Sequence, residues 1–220
     1  MRIVIAGGHG QIALRLERLL AGRSHDVAGI IRKPEQAEDL RAAGAEPVIL
    51  DMESTTVEEV AAVLKGADAV VFAAGGGGDG NRQRKETVDK GGAILFADAA
   101  ERAGVRRYIV VSSIGADARH EGDEVFDVYL RAKGEADEYV QSRTGLDWTI
   151  VRPGALKNEG GTGLVNLADR TGRGPVQRDD VAAVLAELLE TPGTAGLTLQ
   201  LIGGTTPVKD AVAAVAAAKG

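Results

Sequence analysis

Arg2-Ile3-Val4-Ile5-Ala6-Gly7-Gly8-His9-Gly10-Gln11-Ile12-Ala13-Leu14 is the stretch that decides the fold. Its first five residues form a short apolar run rich in β-branched side chains, the pattern of a buried strand. Three glycines interrupt it, and then Leu14, Leu16, Leu19 and Leu20 recur at helical spacing. Strand, glycine-rich turn and helix in this order predict the opening unit of a dinucleotide-binding sheet. Gly7 and Gly10 suit the tight turn, Gly8 and Gly10 let backbone approach a pyrophosphate, and Ala13 lets the helix lie close to the strand. His9, through its backbone N–H, and Gln11 and Ile12 sit at the helix start, where unpaired donors and a partial positive charge favour an anion. A purely structural glycine turn is the alternative. A second apolar run at 27–31 closes the unit on schedule.

Outward from this unit, strand and helix patterns alternate, which predicts an α/β fold with a parallel sheet and right-handed crossovers. Strands are expected near 2–6, 27–31, 47–50, 69–73, 107–112, 147–152 and 197–202. Helices are expected near 10–21, 34–43, 56–65, 88–103, 127–143, 179–190 and 207–218. Thr56 with Glu59 reads as a capping box, Asp179 as a helix cap, and Thr206-Pro207 as cap plus first-turn proline. The glycine-rich stretch 157–176 breaks the alternation and reads as a long loop, either functional or a surface excursion.

The chain has 220 residues, which suits a single domain over 1–220. Net charge is −6 with a pI of about 5.2, which argues against nucleic acid or an anionic membrane as the main partner. There is no cysteine, so thiolate catalysis and disulfides are excluded. His9, His25 and His120 lack metal-ligand spacing, and no metal is expected. No long apolar run or leader-like start is evident, so a cytoplasmic protein is expected, as a monomer or homodimer acting on a small molecule.

In an open parallel sheet, ligands gather at the carboxyl ends of the strands. The second strand ends at Ile31-Arg32-Lys33. An acidic residue here would take the ribose 2′-hydroxyl of NAD; Arg32 instead suits a 2′-phosphate, which favours NADP(H), with solvated surface charges as the alternative. Asp51, followed by Met52, ends the third strand and either accepts from the adenine amino group or simply enters a helix. The fourth strand runs through Ala74 into Gly75-Gly76-Gly77-Gly78, small enough for a cofactor to pass, though a flexible loop looks the same. Arg82, Arg84 and Lys85 read as a solvated cluster, with one of them reaching the cofactor phosphates or an acidic substrate as the alternative. The sixth strand leads to Arg152-Pro153-Gly154-Ala155-Leu156, where backbone meets the nicotinamide end.

The fifth strand ends Val110-Val111-Ser112-Ser113, and Tyr129-Leu130-Arg131-Ala132-Lys133 follows in a helical stretch. Residues four apart share a helix face, so Tyr129 and Lys133 can address one cleft. A nearby cation stabilises a phenolate and makes a tyrosine a better acid near neutrality. With Ser113 to orient a carbonyl oxygen, the three form an acid, its tuner and an orienter. A solvent-facing i,i+4 pair is the alternative.

Gly7-x-x-Gly10-x-x-Ala13, Val88-Asp89-x-Gly91-Gly92-Ala93, Val110-Val111-Ser112-Ser113, Tyr129-x-x-x-Lys133 and Val151-Arg152-Pro153-Gly154 together resemble the short-chain dehydrogenase/reductases. Closest is the atypical NmrA-like branch with its biliverdin/flavin reductase group. The resemblance spans nearly the whole chain. It implies a doubly wound Rossmann-type sheet of order 3-2-1-4-5-6 with a seventh strand, bound NADP(H), and hydride transfer to a carbonyl, quinone or flavin-like acceptor. It also implies that Lys133 binds the nicotinamide ribose. Asp89 stands where extended members carry asparagine, and too little chain follows Arg152 for an epimerase-type substrate domain. Segments 114–128 and 155–176 are expected to shape a small substrate side. The branch also contains cofactor-sensing regulators without chemistry, and a nicotinamide-dependent isomerase or dehydratase is a third reading.

Overall fold

The structure, a computed structural model, describes residues 1–77 and 80–219, so Gly78 of the glycine run lies outside the described residues. Its strands are β1 (Arg2–Ala6), β2 (Asp26–Ile31), β3 (Glu46–Ile49), β4 (Ala69–Phe72), β5 (Arg107–Val111), β6 (Asp147–Pro153), β7 (Ala155–Lys157), β8 (Leu164–Ala168), β9 (Pro175–Gln177), β10 (Leu197–Gly203) and β11 (Thr206–Pro207). Nine of them form one sheet in the order β3-β2-β1-β4-β5-β6-β10-β8-β11. Strands β3 through β10 run parallel, which gives the expected 3-2-1-4-5-6 order plus a seventh strand. Beyond them β8 and β11 are antiparallel. Pro47 lies in one outermost strand and Pro207 in the other.

The helices are α1 (Gln11–Gly22), α2 (Ala37–Ala42), α3 (Val57–Leu64), the single turn α4 (Arg82–Arg84), α5 (Ala93–Ala103), α6 (Val125–Gln141), α7 (Arg178–Leu189) and α8 (Val208–Lys219). Between α4 and α5, Lys85–Gly92 is wound as a π-helix. Successive strand residues point to opposite faces. Ile3 and Ile5 therefore join a core layer with α1, α7 and α8, while Val4 and Ala6 join a second layer with α3, α5 and α6. Both faces of the parallel strands are covered, as their unbroken apolar character requires. The Thr56–Glu59 capping box forms, each partner accepting the other's backbone N–H. Among the described residues no helix is long and apolar enough to cross a membrane.

Three local readings change. Residues 157–176 are not one loop: β8 pairs with β10, and β9 pairs with β7 in a small parallel ribbon. Asp179 is not the cap of α7, which begins one residue earlier behind Gln177. Asp179 and the buried Asp180 instead accept backbone N–H groups from Gly161, Thr162 and Gly163, which pins that segment to the helix. Thr206-Pro207 pairs with Val165 and Leu164, and α8 starts only after it.

Gly134, directly after Lys133, lets the segment after β5 pass against α6. A methyl group there would meet Ala118 N and Asp117 C at 2.2 Å. Alanine normally gains about 1 kcal/mol over glycine inside a helix, but overpacking against backbone costs roughly 1–3 kcal/mol. Gly134→Ala is therefore expected to destabilise the fold, read as a lower urea midpoint; an unchanged or higher midpoint would contradict the packing.

Candidate active site

The turn after β1 is shaped by two glycines with different reasons. Gly7 has φ +79°, and a Cβ there would lie 2.6 Å from Ala74 Cα, so both backbone conformation and space require glycine. Gly10 has an ordinary φ of −66°. Its N–H donates to the Gly7 carbonyl at 2.8 Å, and a Cβ would crowd that same oxygen at 3.0 Å. Gly8 does not do what its spacing suggests. Its N–H is spent on the Ile30 carbonyl at 3.0 Å, and its missing Cβ makes room for Gly29 and Glu17. Glu17 lies wholly buried beneath the turn, and neither of its carboxyl oxygens has a hydrogen-bond partner among the described residues. Burial pushes its pKa up to about 8, with only a small opposing pull from Arg18.

Two cavities lie along the carboxyl ends of the strands and share Gly10, Ala73, Ala74 and Gly75. The smaller, about 230 Å³, is lined by Gly7, His9, Arg32, Asp51 and Met52. Arg84 lines it too, as does Glu53, which the sequence does not single out. Arg32 and Arg84 each reach Glu53 at 3.3 Å, and the Thr87 hydroxyl donates to it at 2.6 Å. Asp51 accepts from the Glu53 N–H at 3.0 Å. The His9 ring is held by Asp39 and Gln36. Lys33 lines neither cavity; its ammonium lies 3.6 Å from Glu35 at the surface.

The larger cavity, about 640 Å³, brings together Gln11, Ile12, Ser113, Tyr129, Lys133, Pro153 and Leu156. Val125 and Phe126 line it from the first expected substrate segment and Leu156 from the second. Phe126 is 63% exposed and stacks on Tyr129, ring centroids 5.9 Å apart. No described residue hydrogen-bonds the Tyr129 hydroxyl, while Ser113 Oγ donates to the Ile114 carbonyl at 3.2 Å. Lys133 is buried, donates to the Val111 carbonyl at 3.1 Å and pairs with Asp89 at 3.2 Å. Burial opposes its charge, but Asp89, helped by Tyr129 and Asp137, overrides it and holds the ammonium pKa above its usual value. Asp89 also accepts the Gly76 N–H at 2.9 Å, which ties the glycine run to the π-helix. Arg152 extends to Asp137 at 2.8 Å, and Ser112 donates to the same carboxylate at 2.7 Å.

Lys85 departs from the solvated-cluster reading and lines the larger cavity. It is 5% exposed rather than solvated, and its ammonium lies 5.7 Å from the Tyr129 ring centroid. A π-turn shifts helical register by one residue, so α-helical spacing does not foresee which face Lys85 joins.

The residues fit a dinucleotide. The start of α1 carries no side-chain cap, so its first-turn donors await an acceptor, and Gly7 leaves the cradle free of a side chain. A family model described as NAD(P)H-binding matches residues 7–192. An uncharacterized sugar epimerase of Bacillus subtilis is 39% identical over 213 residues, 96% of this chain and 99% of that protein. The structure of a putative NAD-dependent epimerase/dehydratase from Bacillus halodurans is 35% identical with a TM-score of 0.89, covering 97% of this chain and 99% of that one. An anaerobillin reductase from Escherichia coli is 25% identical with a TM-score of 0.78, covering 92% of this chain and 97% of its own.

Proposed function

Since this chain belongs to the NAD(P)H-binding family of atypical short-chain dehydrogenase/reductases, we propose that it is an NADPH-dependent reductase of a small carbonyl, quinone or flavin-like acceptor. The observation that carries this reading is the convergence of Tyr129, Ser113 and Lys133 on one cavity that also receives the start of α1. Gly7, Gly10, Gln11 and Ile12 would hold the pyrophosphate, Ala74 and Gly75 the middle of the cofactor, and Pro153, Leu156 and Lys133 its nicotinamide end. When bound, NADPH supplies the two electrons as hydride. The chain's own task is the proton: Tyr129 donates its phenol proton to the acceptor oxygen and recovers one from solvent, while Ser113 orients that oxygen. For a carbonyl, one NADPH and one proton are consumed and one alcohol is formed.

The preference for NADPH rests on Arg32, which lines the adenosine-side cavity and, among the described residues, has only the Glu53 carboxylate at 3.3 Å as a partner. A 2′-phosphate would offer the guanidinium a bidentate acceptor. Arg32→Ala is expected to raise the KM for NADPH roughly 10- to 100-fold and to leave that for NADH nearly unchanged. Equal losses with both cofactors would remove Arg32 from discrimination.

The reading is tested by following NADPH oxidation with a panel of quinones, flavins, aldehydes and ketones. NADPH-selective turnover supports it. Tight NADPH binding without turnover of any acceptor would move the function to a cofactor-sensing regulator. Two relatives are described as epimerases, and product formation without net cofactor consumption would point to that chemistry instead.

A further inference from the structure

Two helical segments face the larger cavity, and each presents two side chains four residues apart. The π-helix offers Lys85 and Asp89; α6 offers Tyr129 and Lys133. They meet as two rungs. Asp89 pairs with Lys133 at 3.2 Å, so that rung is electrically closed. In the other, Lys85 faces the Tyr129 ring at 5.7 Å, and its ammonium donates to the Gly77 carbonyl.

Lys85 is 5% exposed, yet among the described residues no carboxylate pairs with it. An ammonium has three donors, and a buried charge without a counter-ion is costly. Arg178 lines the same cavity from α7, and its hydrogen bond goes to the neutral Asn158 side chain at 2.9 Å. Asp89 is the one carboxylate in the described lining, and Lys133 already neutralises it. The described lining thus holds three cations against one carboxylate, which leaves Lys85 and Arg178 without an anion there, beside the apolar surfaces of Ile12, Phe126 and Leu156.

We propose that this cavity takes an acceptor carrying a carboxylate, which Lys85 binds directly and Arg178 supports from the opposite helix. The assignment of the ligand as an acceptor rests on the reductase reading; the anion site itself does not. A carboxylate completes the second rung as Asp89 completes the first. It would also place the reducible group of the acceptor beside the Tyr129 hydroxyl.

The test uses terephthalaldehydic acid, an aromatic aldehyde with a carboxylate, and its methyl ester. Binding of each to the NADP⁺-saturated protein is measured by calorimetry, and NADPH oxidation is followed separately. Wild type is expected to bind the acid roughly 10- to 100-fold tighter than the ester, as a charge-assisted contact allows. Lys85→Met should erase that preference, and Lys85→Arg, which keeps the charge, should retain most of it. No acid preference in wild type, or an undiminished one in Lys85→Met, overturns the site. Equal weakening of acid and ester in Lys85→Met would also overturn it, and would assign Lys85 to the Tyr129 phenol or to the cofactor. Preferential, Lys85-dependent binding of the acid without NADPH oxidation would uphold the anion site and count against reduction instead.

Discussion

Tyr129→Phe is expected to lower kcat for acceptor reduction about 10²- to 10⁴-fold, the usual worth of a positioned general acid, with NADPH binding retained. The substitution removes one hydroxyl and little else. That hydroxyl bonds no described residue, so its loss leaves no described group unpaired. The ring, which stacks on Phe126 and lies 5.7 Å from Lys85 and 6.0 Å from Lys133, is kept. A fall in kcat with an unchanged fluorescence titration of NADPH would locate the defect in proton delivery. Turnover at the wild-type rate would assign the proton to another donor, with Ser113 or solvent next in line. A parallel loss of cofactor affinity would assign the hydroxyl to holding the cofactor rather than to proton delivery alone.

The largest expected effect on stability comes from Glu17. Its pKa in the fold is about 8 against 4.5 for an exposed glutamate, because burial penalises the charged form. The folded protein therefore holds a proton that the unfolded chain releases between those values. Stability from this group is full below about pH 4.5 and falls by about 1.4 kcal/mol per pH unit until ionisation is complete in both states. Glu17→Gln keeps the shape and removes the titration. Between pH 5 and pH 8 the variant should gain on wild type by about 4 kcal/mol. At pH 5 the two should be close, since the protonated carboxyl and the amide are both neutral and both unpaired. Urea denaturation at both pH values measures the difference, and parallel pH dependences would show that Glu17 is already ionised or solvated in the fold.

The order of elements was legible because each signal was local. The β1 run, Gly7 and the leucines of α1 all lie within one short stretch, and the apolar runs of the later strands repeat that grammar. What stayed hidden depended on contacts distant in sequence. Strand β8 is five residues long, and only Val165 and Leu167 alternate inward, too brief a pattern to stand out among glycines. Its identity comes from pairing with β10, some thirty-five residues away. Asp179 and Asp180 looked like helix-start acids, and their use in holding Gly161–Gly163 follows from the path of that segment. Gly8 matched a phosphate-binding spacing, yet its space is consumed by Gly29 and Glu17. That Tyr129, Lys133 and Ser113 line one cavity was readable from spacing and strand ends. The pairing of Lys133 with Asp89 and the burial of Lys85 were not, since both depend on the wider turn of the π-helix against α6.

The two sheet edges carry a consequence for how copies of this chain can meet. A row of unpaired N–H and C=O groups on an outer strand is a template for strand addition, and hence for aggregation. Pro47 in β3 and Pro207 in β11 each bring a ring where an approaching strand would need a donor. The β11 edge is also only two residues long. Neither margin is built to continue a sheet from one molecule into the next. A pair of subunits would have to join through helices or loops, and crowded, partly unfolded chains are denied the simplest route to cross-strand stacking.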